Sequence, residues 1–161
     1  MNRDRSAPKR GPPDRHDRRG GGRIKRMDSH VQLTEFILKC CYDVANELGT
    51  GFLENVYRNA LVVALGDRPL KVETEKVFEI LFRKRRVGLY IADLVVENSV
   101  IVEVKSCSAL LPIHQAQLIN YLAASSCPVG LLVNFGNKRL EIRRLHHPRY
   151  QPKEQEDVVP F

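Results

Sequence analysis

The chain has 161 residues, 43% of them apolar, and a formal net charge of +7. This length suits one domain with a tail, and the apolar share is enough for a core. No apolar run approaches the roughly 20 residues of a membrane span, and the N-terminus lacks a secretory apolar stretch, so a cytoplasmic protein is expected.

The charge is unevenly placed. Residues 1–27 hold ten Lys or Arg and three Asp, whereas the rest of the chain holds 16 basic and 16 acidic residues. The basic character therefore belongs to an Arg-, Gly- and Pro-rich tail that is unable to bury enough surface to fold alone. That tail reads either as an electrostatic arm for phosphates, as a solvated segment, or as a reading frame extended beyond a true start at Met27. The expected organisation is a disordered basic tail over 1–27, a folded domain over 28–148, and a C-terminal extension over 149–161. Cys40, Cys41, Cys107 and Cys127 lack CxxC spacing and read as reduced thiols, mostly in the core.

Ser29 is a candidate N-cap for a helix whose apolar positions run from Val31 to Leu48, with Gly49 ending it. A second helical pattern runs from Leu53 to Ala64 and stops at Gly66, Asp67 and Pro69. The period then changes: 71–82 and 87–96 read as strands joined by the charged turn RKRR, residues 83–86. A third strand, 100–106, follows the turn residues Glu97, Asn98 and Ser99. Pro112 opens a helix to about Ser125. VGLLVNF at 129–135 and RLEIRRL at 139–145 complete the pattern as two more strands. The order ααβββαββ predicts an α/β (α+β) domain with one mixed sheet and helices packed on it. We find no internal repeat.

The strand VIVEVKS, residues 100–106, poses a question. It is apolar enough to be buried, yet it keeps a carboxylate, Glu103, and an amine, Lys105. Charges are rarely buried unless paired. Along a strand, side chains alternate faces, so Val100, Val102 and Val104 point one way and Ile101, Glu103 and Lys105 the other. The preceding strand contributes one acid, Asp93. If a three-residue turn is centred on Asn98, Asp93 lies opposite Glu103, with Cβ atoms roughly 5 Å apart. A slip of one residue would send Asp93 to the wrong face. Two such carboxylates repel unless a cation lies between them or one is protonated. Oxygen-rich sites suit Mg²⁺ or Mn²⁺, and an adjacent lysine can offset charge on a phosphoryl group. The alternative is an internal Glu–Lys ion pair at a strand end.

Two helices add further groups. Glu54 sits at the start of the second helix with Tyr57 three residues on, although an acid in a first turn is also an ordinary dipole-favoured residue. In the third helix His114, Gln117 and Tyr121 form one stripe, which reads equally as a polar flank beside Leu118 and Leu122.

Asp, then ExK on the next strand, then QxxxY on the following helix resembles the PD-(D/E)XK nuclease superfamily, with its restriction-endonuclease-like core. More narrowly, Gly51-x-x-Glu54-x-x-Tyr57, together with His114-x-x-Gln117 and GLLVNFG at 130–136, resembles the GxxExxY protein family. The resemblance extends from about Val31 to Leu145. It implies that Glu54, Asp93 and Glu103, with the carbonyl of Val104, bind Mg²⁺ or Mn²⁺, and that Lys105 is the catalytic lysine. It implies that Gln117 and Tyr121, with Tyr57 and His114, orient the lysine or contact substrate. The Pro of the superfamily's name is replaced by Ala92. The implied activity is metal-dependent hydrolysis of nucleic-acid phosphodiesters, DNA before RNA, with a homodimer as one way to grip a duplex. Its rivals are an inactive nucleic-acid-binding module of the same fold and a structural or interaction protein.

Overall fold

A computed structural model of the chain describes residues 30–149. The tail over 1–27, the Ser29 cap and all but the first residue of the 149–161 extension lie outside the described residues. The elements are α1 (His30–Leu48), α2 (Glu54–Leu65), β1 (Val72–Phe82), β2 (Arg85–Val96), β3 (Val100–Lys105), α3 (Pro112–Ala124), β4 (Val129–Asn134) and β5 (Glu141–His146), the order expected.

The five strands form one sheet in the order β1-β2-β3-β4-β5. Neighbours are antiparallel except β3 and β4, which α3 joins as a parallel pair. Alternation then decides what each face buries. Val100, Val102 and Val104 of β3, with Val129, Leu131 and Val133 of β4, pack on Ile37, Cys40, Cys41 and Val44 of α1 and on Leu61 and Leu65 of α2. On the opposite face Ile101 and Leu132 meet Leu118, Tyr121 and Leu122 of α3. Burying each such aliphatic side chain contributes about 1.5–3 kcal/mol. α3 approaches closely because Gly130 has no side chain: a Cβ there would lie 2.9 Å from Leu118 Cγ. Burial pushes the Cys40, Cys41 and Cys127 thiols up, as expected of small core residues, and no described cysteine is in a disulfide. Among the described residues, no helix is long and apolar enough to cross a membrane.

The turn between β2 and β3 spans Glu97–Ser99, with Glu97 and Asn98 at positive φ, and Val96 pairs with Val100. The β2–β3 ladder then stops at Leu94 and Val102. β2 continues away from β3, paired only with β1, as a two-stranded arm whose turn is Arg83 and Lys84. One face of this arm, with Phe78 and Tyr90, packs beside the α3 cluster. Val77, Leu89 and Ile91 are exposed.

A candidate metal-dependent site at the fork of the sheet

Asp93 stands where two ladders are interrupted. The β2–β3 pairing ends one residue beyond it, and the β1–β2 ladder passes from Thr74–Leu94 to Lys76–Ala92 without pairing Glu75 to Asp93. Glu75 there has φ of 49°, a conformation uncommon for a residue with a Cβ. Extending the β2–β3 register by one step sets Asp93 opposite Glu103. At this fork the Asp93 carboxylate turns to β3 and Oδ2 accepts the Val104 N–H at 2.8 Å.

Glu103 is 3% exposed, and its Oε1 accepts from Lys105 Nζ at 2.9 Å. Its other oxygen, Oε2, is buried with no hydrogen-bond partner. Burial, and then the charge of Asp93, outweigh Lys105 and push the Glu103 carboxyl up to about 7. Burial also raises Asp93, against the pull of the Val104 N–H, Lys105 and Arg58. For Lys105, burial opposes the charge, but Glu103, Glu54 and Asp93 together outweigh it and raise the amine.

Glu54 opens α2, where the helix dipole favours an acid. Its Oε1 accepts the Ser106 N–H at 3.3 Å, and Ser106 Oγ donates to the Phe52 carbonyl at 2.7 Å. These two bonds fasten the start of α2 to the end of β3. Glu54, Asn55, Arg58, Asp93 and Ser106 line a common cleft, with Phe52 and Leu53. The GxxExxY spacing gains a physical meaning here. Gly51 has φ of 102°, which favours glycine. Tyr57 is fully buried; its hydroxyl donates to the Gly49 carbonyl at 2.8 Å and accepts the Phe52 N–H at 3.2 Å, while its ring stacks on Phe135. Tyr57 thus shapes the loop that delivers Glu54 and has no surface with which to touch a ligand.

On α3, Gln117 Nε2 donates to the Tyr121 hydroxyl at 2.8 Å, and the Tyr121 ring lies 5.3 Å from that of Tyr90. Burial, then the charge of Glu103, raise the Tyr121 phenol, so this stripe borders the carboxylates. His114 has a local role: its Nδ1 accepts the Leu111 N–H at 3.1 Å at the start of α3.

The sequence reading missed three residues. Arg58 is 18% exposed and reaches Asp93 Oδ1 at 3.6 Å and Glu75 Oε1 at 3.3 Å; its signal was its place one helical turn after Glu54. Ser106 closes the VIVEVKS stretch and ties it to α2. Asn134, fully buried, accepts the Cys107 N–H and the Gly136 N–H through Oδ1 and donates to the Cys107 carbonyl through Nδ2. It fixes the backbone that leaves Lys105, and only its polar character at the end of an apolar strand marks it in the sequence.

Among the described residues, no three His, Cys, Asp or Glu side chains are gathered closely enough to hold a metal ion. The three acids accept from three different donors, the Ser106 N–H, the Val104 N–H and Lys105 Nζ. The donor types nevertheless fit a hard divalent cation: Asp93 and Glu103 are both raised by burial, and Glu103 keeps an unpartnered buried oxygen.

Three comparisons bear on this geometry. None of the curated proteins matches the chain. Among solved structures, the crystal structure of SSO0001 is similar at 24% identity with a TM-score of 0.45, covering 73% of this chain and 58% of that one, so the match spans under two thirds of its length. The profile of the PD-(D/E)XK nuclease superfamily matches residues 31–145. The mixed five-stranded sheet with helices on both faces is consistent with the restriction-endonuclease-like core of that superfamily. This chain belongs to the PD-(D/E)XK nuclease superfamily.

Proposed function

We propose that the protein is a divalent-metal-dependent nuclease, with DNA as the first substrate to test, and that it falls within the GxxExxY group. The observation that carries this reading is the buried Glu103, flanked by Asp93 and hydrogen-bonded to Lys105, with one oxygen unpartnered. Its support is the superfamily match and the cleft that Glu54 and Asp93 line together, with Gly51 and Tyr57 shaping the loop that carries Glu54.

In this reading Asp93 and Glu103, with Glu54 and the Val104 carbonyl, would hold Mg²⁺ or Mn²⁺. Such an ion, when bound, polarises a phosphoryl oxygen and lowers the pKa of water. Lys105 stays protonated, because the surrounding acids raise it. Its ammonium offsets negative charge developing on the phosphorus centre. Gln117 and Tyr121 orient the strand or the lysine from α3.

The test is cleavage of plasmid and of single-stranded DNA with Mg²⁺ or Mn²⁺, comparing wild type with Lys105→Ala. Loss of one fixed stabilising group should slow cleavage about 10²–10³-fold. No cleavage by wild type, or equal cleavage by the variant, sinks the reading.

A further inference from the structure

We infer that the β1–β2 arm is a substrate-gripping finger whose turn, Arg83-Lys84-Arg85, binds nucleic-acid phosphates at a distance from the cleft. This rests on the nucleic-acid reading above and names the part of the chain that does the gripping.

Three observations carry it. First, the turn is a concentrated positive patch on a part of the chain, residues 28–161, that is otherwise net negative. Arg83, Lys84, Arg85 and Arg86 are all exposed. Arg86 is paired with Glu79, and Arg83 lies over the exposed Phe82 ring, but none of Arg83, Lys84 and Arg85 forms an ion pair among the described residues.

Second, the turn is built against local stability. Arg83 and Lys84 have φ of 47° and 64°. Two consecutive positive φ values at a hairpin turn strongly favour Asn-Gly or Asp-Gly. Each long side chain held there costs on the order of 1 kcal/mol. Departures of this kind from local preference are found at functional positions.

Third, the arm points from the site. A groove between α3 and the arm runs from Gln117 and Tyr121, past Tyr90 and Asn120, to Ile80 and Leu81. The β2 stretch from Asp93 to Arg85 covers about 27 Å at a rise of about 3.4 Å per residue. That equals about eight nucleotides of duplex, at 3.4 Å per step along a strand. A strand cut at the fork would carry its phosphates to the turn over that length.

The turn's own geometry supplies a clean variant. Arg83→Asn with Lys84→Gly and Arg85→Ser removes three charges while giving the hairpin its preferred residues, so the full-length variant should melt at or above the wild-type temperature. Binding is measured by anisotropy of a fluorescein-labelled 30-base-pair duplex, in Ca²⁺ or EDTA, so that turnover plays no part. The variant should bind 10- to 100-fold more weakly near 100 mM salt. Its log K against log[salt] slope should be shallower by about 2–3, since each lost phosphate contact removes about 0.9. The gap between the two proteins should close on a duplex with fewer than about eight base pairs on one side of the cut, and in a cleavage assay the loss should appear in KM.

Equal affinity and slope for the folded variant and wild type would overturn the finger while leaving the nuclease reading intact. A Lys105→Ala protein that binds normally but does not cut, combined with a weakened turn variant, supports both. Failure of wild type to bind any nucleic acid removes both.

Discussion

Arg58 Nη1 lies 3.6 Å from Asp93 Oδ1 and 3.3 Å from Glu75 Oε1, so one guanidinium from α2 bridges the acid at the fork and its neighbour on β1. It is the only cation besides Lys105 among the causes that lower Asp93. Truncating one partner of a half-buried pair leaves the other uncompensated. Arg58→Ala should therefore lower the stability of the metal-free protein by about 1–2 kcal/mol, discounted for the exposure of Glu75, or about 3–8 °C in Tm. Because Asp93 would then keep only Lys105 as a nearby cation, Mg²⁺ should raise the Tm of the variant more than that of wild type. A thermal melt of both proteins across a Mg²⁺ series checks this; an identical metal response would show that Arg58 and the ion do not share Asp93.

Glu103 makes the stability of the metal-free protein depend on pH in an unusual direction. Its carboxyl moves from 4.5 to about 7 in the fold. A raised acid binds its proton more tightly folded than unfolded, so its ionisation opposes folding above about pH 7 and this cost is relieved as pH falls toward 4.5. The full effect is up to about 3 kcal/mol. Urea melts of the metal-free protein should show this contribution growing between pH 8 and pH 5. Glu103→Gln should flatten the profile and raise or leave unchanged the stability at pH 8, while abolishing the Mg²⁺-dependent gain. A clear drop in stability for Glu103→Gln would instead mark Glu103 and Lys105 as a structural ion pair.

The backbone after Lys105 is held by Asn134 and by the absence of a side chain at residue 136. Asn134→Ala leaves the Cys107 N–H, the Cys107 carbonyl and the Gly136 N–H without their partner, at a cost of about 2–4 kcal/mol. A Cβ at Gly136 would lie 2.1 Å from the Cys107 carbonyl oxygen, so Gly136→Ala forces backbone to move and should cost at least about 2 kcal/mol. At Gly88 the nearest atom to an added Cβ is 3.8 Å away, and Gly88→Ala should be near neutral. Denaturant midpoints of Asn134→Ala and Gly136→Ala should both fall well below that of Gly88→Ala.

Tyr57→Phe keeps the ring on Phe135 and removes only the hydroxyl that joins Gly49 to Phe52. Two buried hydrogen bonds are lost, at about 1–2 kcal/mol. Because Tyr57 has no exposed surface, affinity for nucleic acid should not change, whereas kcat should fall as the loop carrying Glu54 loosens. A change in affinity at unchanged stability would return Tyr57 to the ligand-contacting residues.

Much of the scaffold was legible in the residues themselves. Helical and strand periods, Gly49 and Gly66 at helix ends, and the three turn residues after Val96 gave all eight elements, and the alternation in VIVEVKS separated its core face from its charged face. These features are local: they depend on backbone geometry and on which side chains avoid water. The register that brings Asp93 opposite Glu103 rested on assuming a three-residue turn, and the Val96–Val100 pairing around Glu97–Ser99 agrees with it. The partners of the charges were decided by tertiary structure alone. Whether Glu54 meets Ser106, Arg58 meets Asp93, or Asn134 clasps Cys107 depends on how residues 27 to 52 positions apart are folded together, and no periodicity encodes that. The arm was hidden for a related reason: RKRR reads as a solvated turn until the β2–β3 ladder is seen to end at Leu94, leaving β1 and β2 to pair only with each other beyond it.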